Sequence, residues 1–112
     1  MSLAEKQCEP CRGGVAPLDR TAAESMLKEV PGWSLSDDAT RISRTFKFKN
    51  FAEALDFVRW VGRAAEDANH HPEIQFGWGH ATVTFYTHKI GGLHENDFIL
   101  AARVSRLFDE EE

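Results

Sequence analysis

A chain of 112 residues is one domain's worth, long enough for a single core with a thin margin of stability. Its content of 42% hydrophobic and 28% charged residues describes an ordinary soluble globule and excludes a disordered chain. A net charge of −5, with Lys and Arg scattered rather than clustered, argues against a nucleic-acid partner. No apolar run reaches membrane-spanning length, so no membrane partner is expected. The opening stretch, MSLAEKQCEPCRGG, lacks the apolar segment of a secretory signal, and the expected location is cytoplasmic.

Residues 1–18 read as a flexible N-terminal segment. Both cysteines, Cys8 and Cys11, lie there in CEPC. That spacing suits a redox pair or half of a zinc site, but it neither follows a strand nor opens a helix, and no second cysteine pair exists. Free thiols in a tail are expected. A domain over 19–108 follows. Thr21 is placed to cap a first helix, with Glu24 reaching back; Met26, Leu27 and Val30 give it an apolar face, and Pro31–Gly32 end it. Trp33 and Leu35, a turn through SDDAT, then Ile42, Phe46 and Phe48 read as a hairpin.

Asn50 and Glu53 are spaced to start a second helix. Phe51, Leu55, Val58 and Val61 keep helical spacing, and Phe57 and Trp60 widen the stripe, so this helix is expected to be the best buried. Pro72 disfavours helical geometry at His71 and stops it. A second hairpin turns through GWGH, with Val83 and Phe85 on one face and Thr82, Thr84, Tyr86 and His88 on the other. A Gly91–Gly92 loop leads to a last helix capped by Asn96 or Asp97, with Ile99, Leu100, Val104, Leu107 and Phe108 inward. Residues 109–112 form an acidic tail. The order α-β-β-α-β-β-α predicts an α+β fold: a four-stranded antiparallel sheet with three helices packed on one face.

Four of the five histidines fall between Asn69 and Lys89. His70 and His71 sit at a helix exit that Pro72 makes rigid, and His88 lies at the far end of the returning strand. Glu66, one turn before His70, is spaced to orient that imidazole. Imidazoles near carboxylates at both ends of one hairpin suit acid–base catalysis. A zinc site is the rival, disfavoured because neighbouring residues in extended chain point to opposite faces. No serine lies close in sequence for nucleophilic catalysis. His80 and His94 are expected to face solvent.

The residues resemble a known family. Glu66, three residues, His70-His71-Pro72, five residues, Trp78, nine residues, His88, eight residues and Asp97 match the signature of pterin-4a-carbinolamine dehydratase. The resemblance runs from about Leu18 to Phe108, with PGW and FAEALDFV within it, and LAEKQCEPCRGG looks like bacterial members. It implies dehydration of 4a-hydroxytetrahydrobiopterin to quinonoid dihydropterin, recycling the pterin of aromatic amino-acid hydroxylases. His70, His71 and His88 are then the catalytic residues. Glu66, Pro72, Thr87, Lys89, Ile90 and Asp97 are substrate-binding or supporting, with Glu66 orienting His70. No metal or organic cofactor is implied, and a homodimer or homotetramer is. Ile74 departs from the aromatic residue of many members, and Lys89 from a carboxylate. The alternatives are a regulatory binding module, as vertebrate relatives serve a homeodomain transcription factor, or action on another pterin such as a molybdenum-cofactor precursor.

Overall fold

The computed structural model describes residues 3–8 and 15–111. Its main elements are α1 (Arg20–Leu27), β1 (Ser34–Leu35), β2 (Ile42–Lys47), α2 (Phe51–Ala68), β3 (Glu73–Gly77), β4 (His80–Phe85) and α3 (Glu95–Glu111). The expected order and α+β class are therefore observed. The strands form one antiparallel sheet in the order β1-β2-β4-β3, so the two hairpins join through the central pair β2 and β4. Ile42 pairs with Phe85 and Phe46 with Ala81, which sets their side chains on one face. The intervening Ser43, Thr45, Thr82 and Thr84 take the other face, where the Thr45 and Thr82 hydroxyls meet at 2.7 Å.

The core fills the space between the apolar sheet face and the helices. Phe46, Phe57, Phe85, Phe98, Ile99 and Leu100 are among its largest fully buried side chains. On α2 the buried stripe is Ala54, Phe57, Val61 and Ala65. Small residues at its two ends let the helix lie close to its neighbours. Phe51, Leu55 and Trp60, expected inside, are 44%, 38% and 46% exposed. The most heavily buried helix is α3, because a 3-10 turn at Leu3–Glu5 packs on a further side of it. Phe98, Ile99, Leu100 and Ala101 are all buried as a result.

Several termini differ from expectation. Asp19, not Thr21, caps α1, its carboxylate accepting from the Ala22 amide at 2.8 Å. The chain is already pinned one residue earlier, where the Leu18 amide donates to the Leu93 carbonyl, so the helix starts as soon as a capping side chain follows. Asn50 caps α2 through the Glu53 amide, as expected. The last helix begins earlier than expected. His94 precedes it, its Nδ1 accepting from the Asn96 amide, while Asp97 reaches back to the His94 amide. Residues 109–111 continue α3. In the segment read as a lead-in, Leu3 belongs to the core and Cys8 packs against it. Cys8 is a free cysteine, and Cys11, the other expected free thiol, lies outside the described residues. Among the described residues no helix is long and apolar enough to cross a membrane.

Candidate active site

The histidine corner is built by the way α2 ends. Asn69 takes a left-handed conformation, φ 53° and ψ 41°, and its amide closes on the Ala65 and Glu66 carbonyls. The His70 amide follows onto Ala65 at 3.1 Å. This reversal turns His70 inward, where it is 8% exposed and stacks over Phe85 with the rings 10° from parallel. Extended geometry before Pro72 then sends His71 outward.

Each ring of the pair has its own carboxylate. His70 Nε2 lies 2.6 Å from Asp97 Oδ1, and both groups are buried. His71 Nε2 is hydrogen-bonded to Glu66 at the surface. The expectation that Glu66 would orient His70 is thus corrected. The left-handed step at Asn69 takes His70 off the helix face that Glu66 shares, and His71 swings back onto it. A carboxylate only accepts, so in each pair the imidazole Nε2 is the donor.

His88 arrives from the other end of the hairpin. It does not lie on a strand: β4 ends at Phe85, and His88–Ile90 form a 3-10 turn closed by Gly91 at φ 65°. Thr87 pairs with Gly92 across the base of this loop, its amide 2.8 Å from the Gly92 carbonyl. The Thr87 side chain points inward and donates to Asp97 Oδ2 at 2.7 Å. Asp97 therefore holds the exit of α2, the exit of β4 and the entry to α3 together.

His70, His71 and His88 line one open cleft of about 500 Å³, with Thr87 and Lys89. A larger groove of about 670 Å³ around Lys47, Lys49 and Phe108 carries no histidine. Glu66 and Asp97 stand behind the cleft, each holding a histidine. Pro72 and Ile90 are not in its lining. His80 is exposed at the start of β4. Among the described residues no group of His, Cys, Asp or Glu side chains is arranged to hold a metal ion.

Further lining residues were not expected: Cys8, Ala68, Asn69, Tyr86 and Asn96. Tyr86 had a legible signal, since it alternates onto the same face as His88. Its ring centroid is 5.9 Å from that of His88, and its hydroxyl donates to Glu73 at 2.9 Å. That hydrogen bond is the chief reason the phenol is held above its usual pKa. Cys8 had no signal, being 88 positions from the Asn96 carbonyl it approaches.

The model of the family described as Pterin 4 alpha carbinolamine dehydratase matches residues 16–107. The chain belongs to this family. Among its relatives in the pterin-4a-carbinolamine dehydratase family, the Cupriavidus pinatubonensis protein named "Putative pterin-4-alpha-carbinolamine dehydratase 1" is 60% identical, over 94% of this chain and 90% of the relative. A Methylococcus capsulatus protein, named "Putative pterin-4-alpha-carbinolamine dehydratase", is 57% identical over 97% of this chain and 96% of its own. The crystal structure of a transcriptional coactivator/pterin dehydratase from Brucella melitensis superposes with a TM-score of 0.77 at 31% identity, covering 81% of this chain and 97% of that one.

Proposed function

We propose that this chain removes water from 4a-hydroxytetrahydrobiopterin to give quinonoid dihydropterin by histidine acid–base catalysis. The observation that carries the proposal is that three imidazoles, from the two ends of one hairpin, share a cleft. Its volume of about 500 Å³ is ample for a bicyclic ring. In the reaction the bond from carbon 4a to its hydroxyl breaks, and that oxygen takes up a proton and leaves as water. The adjacent ring nitrogen loses a proton, and its electron pair forms the new double bond to carbon 4a. One imidazole delivers a proton and another accepts one, and imidazoles exchange protons near neutral pH.

His70 and His71 each present a fixed tautomer, because Asp97 and Glu66 take the Nε2 hydrogen. His88 lines the same cleft, with Thr87 anchoring its loop and Lys89 beside it. In this reading Glu66 and Asp97 are positioning residues, and Pro72 and Ile90 shape the two corners. The product would be reduced and returned to an aromatic amino-acid hydroxylase. Its bacterial relatives' names and the family match support this substrate class.

The surface supports self-association into a homodimer or homotetramer. β3 is an edge strand, and Phe51 and Phe76 stack at 5.6 Å while both remain exposed, near the free edge. The function is tested by adding purified protein to freshly generated 4a-hydroxytetrahydrobiopterin and following its loss. Acceleration proportional to protein concentration is expected. An unchanged spontaneous rate contradicts the catalytic reading and favours a regulatory binding module.

A further inference from the structure

CEPC is the one motif that the histidine chemistry leaves unused, and its first residue, Cys8, belongs to the described segment 3–8. Residues 3–8 run along α3 toward its N-terminus, fastened at successive points. Leu3 is buried in the core at 7% exposure. Arg103 donates through Nε to the Ala4 carbonyl at 3.0 Å and through Nη2 to the Lys6 carbonyl. Lys6 Nζ pairs with Glu95 at 2.9 Å. Cys8 comes last, with Sγ 4.0 Å from the Asn96 carbonyl. The strap therefore passes from Arg103 to Asn96, about two helical turns, and brings Cys8 to the cleft. There Cys8 and the buried Asn96 form one stretch of wall beside His70 and His71.

We propose that this N-terminal strap completes the pterin site, with Cys8 as a substrate-positioning wall residue packed against the bound ring. The inference rests on the pterin reading above. Three features of the strap point this way. Its fastening to α3 is distributed over Leu3, Ala4 and Lys6, so the position of Cys8 is set by side chains and carbonyls outside the cleft. Asn96 immediately precedes Asp97, which holds His70 and Thr87, so the strap leans on the same turn of α3 that orders the catalytic residues. The thiol is also suited to a neutral ring. Burial pushes it above its usual pKa, against an opposing pull from Arg103, so it stays uncharged near neutral pH. A neutral, polarisable sulfur makes favourable contact with flat rings.

The test uses the full chain carrying Cys11→Ser, in which Cys8 is the remaining cysteine. Alkylation of Cys8 by N-ethylmaleimide is timed by mass spectrometry with and without 7,8-dihydrobiopterin, whose binding is measured separately by equilibrium dialysis. At a pterin concentration ten times its dissociation constant, alkylation is expected to slow about tenfold. Bound pterin with an unchanged alkylation rate overturns the strap's role and leaves the proposed function standing. Absence of pterin binding overturns both. A second variant separates contact from general stiffening of the fold. Cys8→Phe, which fills the wall, is expected to raise KM about tenfold with kcat within about twofold of the parent. An unchanged KM in a folded Cys8→Phe protein counts against the proposal.

Discussion

The imidazole of His70 and the carboxylate of Asp97 meet at 2.6 Å in the protein interior, although 27 positions separate them in sequence. The same carboxylate also accepts from the Thr87 hydroxyl at 2.7 Å and the His94 amide at 2.9 Å. Through these bonds one side chain ties together three segments that border the cleft. Replacing it leaves two buried donors, His70 and Thr87, and the part-buried His94 amide without their acceptor, and unpaired buried groups are costly. Asp97→Ala is therefore expected to lower unfolding stability by about 3 kcal/mol, measured by urea denaturation at neutral pH. A loss below about 1 kcal/mol would show that the three donors find other partners.

The loop that carries His88 is tied down by a close approach of backbone to side chain. A Cβ placed on Gly92 would stand 2.6 Å from Pro17 Cβ and 3.3 Å from its Cγ. Gly92→Ala is expected to cost about 1–3 kcal/mol, the range of an overpacked contact. Removing the obstructing ring should give part of this back. The double variant with Pro17→Gly is therefore expected to be more stable than the sum of the two single effects, with a coupling above about 0.5 kcal/mol. Simple additivity would place the strain elsewhere.

The turn between β1 and β2 offers a pH-dependent test away from the cleft. The Thr40 hydroxyl, the Ser36 hydroxyl and the Thr40 amide all donate to Asp38 Oδ1 and lower the carboxyl from 3.8 to about 2. A carboxyl whose folded pKa is depressed adds stability above its unfolded pKa and loses it as pH falls through the folded value. Asp38→Asn is thus expected to be slightly less stable than the parent at pH 7. The gap should close between pH 4 and pH 2, roughly the window between the two pKa values. Denaturation midpoints at pH 7, 4 and 2 measure it, and a gap independent of pH contradicts the assignment. The group is fully exposed, so the effect should be small and weaken with salt.

The fold was largely legible because its signals are local. Alternation in β4 placed Val83 and Phe85 inside, and Asn50 with Glu53 marked the start of α2. Burial on the helices was less legible because it depends on what else packs there. Phe51, Leu55 and Trp60 satisfy helical spacing yet stay exposed, while the four successive residues Phe98 to Ala101 are all buried on α3, which residues 3–5 also cover. At the site, the three histidines could be grouped from the sequence. Their carboxylate partners could not be paired correctly. Helical spacing assigns Glu66 to His70, but the left-handed residue Asn69 intervenes and hands Glu66 to His71. Asp97, placed near the site by motif resemblance, becomes the partner of His70 only through the packing of α3 against the exit of α2. Cys8 reaches the cleft by the same kind of long-range packing, which no local pattern announces.

The central claim is most directly tested by comparing 4a-hydroxytetrahydrobiopterin dehydration by His71→Ala, His88→Ala and His80→Ala. All three imidazoles are exposed, so none of the changes removes core packing, but only the first two line the cleft. The account predicts that His71→Ala and His88→Ala each lose about 10²-fold in rate, the scale of a missing general acid or base, while His80→Ala matches the parent. Equal rates for all three variants would contradict it.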